Sequence, residues 1–230
     1  MGGVSGKTRA CAPKIALLLA AALLAGTLVW VYCAGKLSVQ LVSILGVLLV
    51  LLLGFASFEL SRPDANTLTA VAVLSAVAVA GRVLFAPLAN FKPVGAVVIV
   101  TGAVFGPSAG FIAGALSALC SNILFGQGAW TPWQMLGFGL VGALAGILGR
   151  RGSLEKRLPL CLYGAAAGFL YGIIVDSFYL LGYIAPSWQA VRAALVGGVL
   201  FNAIHAAANV FFLSIFGRSW IKKLTRIRNK

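Results

Sequence analysis

The chain predicts an all-α polytopic membrane protein, a six-helix bundle preceded by an N-terminal two-helix hairpin. Three observations carry that expectation. Hydrophobic residues make up 61% of the 230 and charged residues 10%, whereas an ordinary soluble domain carries roughly 25% charged residues. Apolar runs near or beyond about 18 residues, enough to cross a bilayer, recur along the whole length. The basic residues gather in short segments between or after those runs, as they do in cytoplasmic loops.

The first apolar run, 14–34, sits where a signal peptide would, but it is long and a second run starts just past Lys36. An uncleaved hairpin of 14–34 and 37–58 is therefore expected. It has no polar face, which predicts packing toward lipid. Cys11 precedes the first run and does not fit a lipoprotein anchor. Residues 59–66, with Ser, Arg, Pro, Asp and Asn, form the longest polar break of the first half.

Six further helices follow, at 68–88, 93–105, 108–124, 132–148, 158–181 and 188–216. The second of these is short for a hydrocarbon core of about 30 Å, and Gly106–Pro107 separates it from the next. Short membrane helices persist where they line a protein-enclosed cavity. The chain thus divides into a transmembrane hairpin (1–58), a polar cytoplasmic linker (59–67), the six-helix bundle (68–216) and a basic cytoplasmic tail (217–230). In that tail Trp220, Ile221, Leu224 and Ile227 interleave with Lys and Arg, as in an interfacial amphipathic segment.

A net charge of +14 invites a nucleic-acid reading, but position argues against it. Lys7, Arg9 and Lys14, then Arg150, Arg151, Lys156 and Arg157, then Arg218 through Lys230 are juxtamembrane clusters that lie against anionic headgroups. No folded basic domain with aromatic platforms accompanies them. If all three clusters are cytoplasmic, each interval must hold an even number of spans, and six helices before Arg150 and two after it satisfy this. Both termini then lie inside, in a bacterial plasma membrane, and the loops 90–92, 126–131 and 182–187 lie outside.

Those outer loops carry the recognition chemistry. Trp130 and Trp133 flank Pro132 beside Gln127 and Gln134, which suits either an aromatic belt at headgroup depth or a lid closing over a ligand. Lys92 either snorkels to headgroups or holds an anionic group. Within the spans, Arg82, Asp176 and His205 are ionisable groups that cost about 2.5–3.5 kcal/mol each when unpaired, even on lenient scales. A mutual Arg82–Asp176 ion pair is the simplest account, with contact to a polar substrate as the alternative. Asp176, Tyr179 and Tyr183 share one helical face, as do Asn202, His205 and Asn209. The two stripes suit a cavity wall; for His205 and Asn209, inter-helix hydrogen bonding is the simpler expectation.

The 68–88 helix carries Ala72, Ala76 and Ala80 at four-residue spacing. Small residues so spaced permit close helix approach in lipid, and Arg82 falls about 120° away from the stripe. Scattered cysteines without a C-x-x-C pair offer no zinc or redox site, and the single His has no companion ligand, so neither metal nor cofactor is expected. Catalysis has little to draw on: Asp plus Glu total 4, and Glu59, Asp64 and Glu155 lie outside the spans.

Together these residues resemble the substrate-binding S component of energy-coupling factor (ECF) vitamin transporters. The resemblance covers 68–216. It rests on the alanine stripe, on Asn90–Phe91–Lys92–Pro93, on Phe105 through Gly110, and on the run from Ser117 through Asn122 and Gly126–Gln127–Gly128 to Trp130–Thr131–Pro132–Trp133–Gln134. It implies an S-component-like bundle that captures a vitamin, most similar to those assigned to cobalamin or a related corrinoid. It also implies docking through Ala72, Ala76 and Ala80 onto a membrane coupling protein bearing two ATPase subunits. No G-x-x-x-x-G-K-[ST] loop is present, so the energy comes from partners. Residue reading and resemblance together give a substrate-binding set of Asn90, Lys92, Asn122, Gln127, Trp130, Trp133, Gln134, Asp176, Tyr179 and Asn202. An ion- or proton-coupled secondary carrier for a small polar metabolite is the alternative.

Overall fold

A computed structural model describes residues 38–182 and 187–229, together with 26, 33 and 35. The expected first helix, 14–34, and Tyr183 fall outside the described residues. The rest is helical: α1 (Val39–Leu60), α2 (Ala65–Leu84), α3 (Val94–Phe105), α4 (Pro107–Phe125), α5 (Thr131–Arg150), α6 (Arg157–Gly182) and α7 (Trp188–Phe212). A π turn, Leu213–Gly217, then leads into α8 (Arg218–Arg228). Among the described residues, six helical segments are long and apolar enough to cross a membrane, the last running Val191–Arg228.

Local chemistry sets the helix ends. Asp64 accepts a hydrogen bond from the Thr67 backbone N–H at 3.0 Å, so α2 begins at Ala65, three residues before the expected start. It stops at Leu84 and not at residue 88, because Pro87 lacks an amide hydrogen and its ring would strike the carbonyl four residues back. Gly106 (φ 94°) reverses the chain between α3 and α4 in a conformation that side chains resist, and Pro107 opens α4 at a position where its missing N–H costs nothing.

The 12 residues of α3 span only about 18 Å. The helix survives because protein surrounds it, and almost every one of its side chains is buried. Contact with α4 and α5 runs through glycine. A Cβ on Gly110 would lie 2.3 Å from the Gly142 carbonyl oxygen, and one on Gly102 would lie 2.0 Å from the same atom. Lipid offers no hydrophobic drive between helices, so close backbone approach and dispersion contacts hold them. α6 and α7 meet in the same way, with Gly164, Gly168 and Gly172 facing Leu213, Ala206 and Asn202.

The tail departs from expectation. In place of a separate segment after residue 216, the helix runs on through the π turn to Arg228. Trp220, Ile221 and Leu224 pack on the core, and the Arg228 guanidinium donates to the Val104 carbonyl oxygen. That oxygen lies in the last turn of α3, where no intrahelical donor remains. α1 rests on the bundle, its Gly54 against the Phe111 ring and its Ser57 hydroxyl 3.2 Å from that of Ser108.

Gly142→Val places a side chain where the Gly110 carbonyl oxygen would lie 2.1 Å from its Cβ. It is expected to lower the stability of the purified chain by about 1–3 kcal/mol or more, measured by thermal unfolding in detergent. Gly46→Ala, with nothing near its Cβ position inside α1, is expected to keep or raise stability, by up to about 1 kcal/mol.

Candidate functional site

The ends of α2, α4 and α6 meet the starts of α3, α5 and α7 at one end of the bundle, and polar groups concentrate there. Arg82, near the end of α2, donates through Nη1 to the Ser121 hydroxyl and to Asn122 Oδ1 at 2.9 Å. Its guanidinium carbon lies 5.1 Å from the centre of the Phe125 ring. Lys92 Nζ lies 5.1 Å from that same ring. Burial, and then the nearby Arg82 charge, hold the Lys92 ammonium below the ordinary lysine value.

Asn122 is the hub of this end. It is 1% exposed, and its Nδ2 donates to Thr131 Oγ1 at 3.0 Å and to Gln134 Oε1 at 2.8 Å. With Arg82 on its oxygen, every part of the amide is used. Thr131 Oγ1 donates in turn to Gln127 Oε1 at 3.0 Å, and Gln127 Nε2 donates to the Leu119 carbonyl oxygen at 2.9 Å. Gln127 therefore ties the α4–α5 loop down.

Two connected spaces open beside the hub. An inner chamber of about 70 Å³ is lined by Arg82, Asn90, Lys92 and Gln134 on its polar side and by Phe138, Tyr171, Phe201 and His205 on its aromatic side. Asn90 reaches it from a left-handed backbone position (φ 62°) that asparagine tolerates better than most residues. Phe138 and Tyr171 stack at 4.0 Å and 25°, and His205 lies 4.9 Å from Tyr171. An outer groove of about 900 Å³ between α5, α6 and α7 is lined by Trp130, Gln134, Asp176, Tyr179, Gly198 and Phe201, among others. Gln134 and Phe201 belong to both spaces.

Several expectations need correction. Arg82 does not pair with Asp176: it serves Ser121 and Asn122, while Asp176 lies with Asn202 against Gly198 at the α6–α7 contact. Trp133, expected at the ligand, is 4% exposed. Its Nε1 donates to the Ser177 hydroxyl at 3.0 Å, and its ring packs on Phe178 at 5.4 Å, so it locks α5 to α6. Asn122 and Gln127 stand behind the cavity walls and line neither space. Asn209 donates to the Gly164 carbonyl oxygen at 3.0 Å, as the simpler expectation had it, whereas His205 faces the chamber.

Phe138, Tyr171 and Phe201 were missed. Aromatic residues in membrane helices are too common to stand out by type. Phe201 and His205 do lie one turn apart, a spacing that places them on one face.

A third concavity, about 1170 Å³, runs along the exposed side of α2. Ala72, Ala76 and Ala80 line it with Phe85, Phe212 and Trp220. It is the largest of the three yet nearly without polar groups, so it fits a partner helix better than a polar ligand.

A multi-pass bundle with an aromatic and basic chamber at one end and a small-residue face on its flank has the build of a solute-binding membrane component. The family model described as "ECF-type riboflavin transporter, S component" matches residues 64–216, and the chain belongs to that family. The match starts at the Asp64 cap of α2 and ends in the π turn, which leaves α1 and α8 outside it. A UPF0397 protein of Vibrio atlanticus (strain LGP32) is 28% identical over 149 residues, covering 61% of this chain and 77% of that one. No solved structure matches the chain.

Asn122→Ala is expected to lower stability by about 1–3 kcal/mol, because Arg82 loses a buried acceptor and Gln134 a donor. Trp133→Phe loses the Ser177 bond and shrinks a buried indole to a benzene ring, so about 1–3 kcal/mol is expected. Thermal unfolding of the two purified variants measures both.

Proposed function

We propose that this ECF S component captures a vitamin-class micronutrient carrying a planar heteroaromatic ring, and that the ring enters from the outer groove toward the chamber. The aromatic wall of Phe138, Tyr171 and Phe201, set against Arg82, Asn90, Lys92 and Gln134, is the observation that supports this reading. Flat π systems gain from offset or edge contacts with such rings, and the polar side supplies donors for ring carbonyls or a negative charge. Riboflavin, named in the description of the matching family, is the first ligand to test. The corrinoid expected from sequence is the second, and the open groove of about 900 Å³ is the feature that favours a ligand of that bulk.

The family implies association with a coupling membrane protein and ATPases. On this reading the chain performs no chemistry of its own, and the site faces outward with both termini in the cytoplasm. Ala72, Ala76 and Ala80 form the coupling face, where the apolar concavity beside α2 receives a partner helix at close range. Binding energy and transport energy are thereby separated, with the ligand held at one end and the ATP-driven partner gripping the side.

Isothermal titration of the purified chain with riboflavin and with cobalamin tests the capture step. Saturable binding of either supports it, and binding of neither overturns it. Phe201→Ala is expected to weaken the bound ligand about tenfold, which corresponds to about 1.4 kcal/mol. Ala76→Leu is expected to leave affinity within about twofold and to abolish uptake in cells expressing the partner subunits, since a larger side chain holds the coupling helix off. Normal uptake by Ala76→Leu would remove the coupling-face assignment, and uptake without any ATPase partner would favour a secondary carrier.

Lys92 supplies a pH test. Its pKa lies below the ordinary lysine 10.5, so it sheds its charge earlier as pH rises. Affinity is expected to fall on the alkaline side at a pH below that of an ordinary lysine, and Lys92→Gln is expected to remove that fall.

A further inference from the structure

Two buried oxygen atoms have no hydrogen-bond partner among the described residues: Asp176 Oδ2, on a residue that lines the outer groove, and Asn202 Oδ1, on a residue packed behind it. Asn202 is itself 3% exposed. Neither atom is used within the described protein, so both are spare acceptors. A buried acceptor without a donor is costly, and more so when it is charged.

Glycine shapes the surroundings of both atoms. A Cβ on Gly172 would lie 1.4 Å from Asn202 Oδ1, and a Cβ on Gly198 would lie 2.3 Å from Asp176 Oδ2. The backbones of α6 and α7 thus crowd the pair from two sides, and any side chain at either position would overrun it. Two cations of the chamber are engaged elsewhere, Arg82 on Ser121 and Asn122 and Lys92 over Phe125. Asp176 and Gly198 both line the outer groove, which gives a ligand access to this corner.

We propose that Asp176, backed by the buried Asn202, forms a donor-reading subsite that accepts an N–H or amino group of the ligand, while the electron-rich end of the same molecule points toward Arg82, Asn90 and Lys92. The site is therefore polarised along its length, acceptors in the groove and donors in the chamber, with Gln134 and Phe201 at the junction. This rests on the capture reading above and narrows its substrate class to molecules with a hydrogen-bond donor opposite a carbonyl-rich or anionic edge.

The test compares the full chain with Asp176→Asn, an isosteric change that replaces one acceptor by a donor. Riboflavin, 3-methylriboflavin (whose ring N–H is replaced by N–CH3) and cobalamin are titrated calorimetrically, and the melting temperature of each ligand-free protein is recorded. Whichever of riboflavin or cobalamin binds, Asp176→Asn is expected to weaken it at least tenfold while the ligand-free melting temperature holds or rises. A merely structural Asp176 would instead lower that temperature and leave the affinity of the folded fraction alone. If riboflavin binds, 3-methylriboflavin is expected to bind at least tenfold more weakly to the parent chain and about equally to riboflavin in the variant. Affinity unchanged within about twofold in Asp176→Asn, or equal binding of the methylated flavin to the parent, overturns the subsite and leaves capture standing. Binding of neither riboflavin nor cobalamin to the parent removes the capture reading, and the subsite falls with it.

Discussion

The buried amide of Asn122 is the contact on which the organised end of this bundle depends. It takes the Arg82 guanidinium on its oxygen and gives its two hydrogens to Thr131 and Gln134, so a single side chain links α2, α4 and α5. An arginine inside a membrane segment needs acceptors in reach, and here they come from Ser121 and Asn122 with the Phe125 ring beside them. Remove that arrangement and a cation loses its partners, Gln134 loses the donor that orients it, and the boundary between chamber and groove loses definition. The same residues connect the helix bearing the alanine face to Gln134, one of the two side chains shared by chamber and groove.

Around this polar end the bundle is held by backbone proximity. Glycines at the α3, α4 and α5 contacts bring main chains close enough that a single Cβ would collide with a carbonyl oxygen. In hydrocarbon such approach is a principal source of helix association. It also explains why so short a helix as α3 is stable, since protein encloses it on all sides and the Arg228 guanidinium serves a carbonyl of its last turn. The close-packed end of the molecule and the hollow end are thus built by different means, glycine contact in one and a hydrogen-bonded hub in the other.

Those two devices differ in how plainly they show in the chain. The helices were legible because apolar length is a one-dimensional property, and α3 through α6 lie within a few residues of expectation. Missed boundaries trace to local chemistry: the Asp64 cap, the Pro87 stop, and a tail that keeps helical dihedrals through a π turn because Trp220, Ile221 and Leu224 find the core. The alanine stripe was readable too, since Ala72, Ala76 and Ala80 recur at helical spacing and all three are exposed. Trp133 was misjudged because a tryptophan beside a loop has the same one-letter appearance whether its indole meets solvent, ligand or Ser177.

By itself the sequence determined that this is a helical membrane protein with a small-residue flank and polar chemistry gathered near helix ends, because hydrophobic length, residue size and charge act along the chain. Only the tertiary structure decided which polar groups meet. Arg82 goes to Asn122 and not to Asp176, Asp176 and Asn202 meet beside Gly198, and Tyr171 stands between Phe138 and His205. Partner choice depends on rotation and depth of helices far apart in sequence. Spacing along one helix shows which residues share a face but not which face of which neighbour lies opposite.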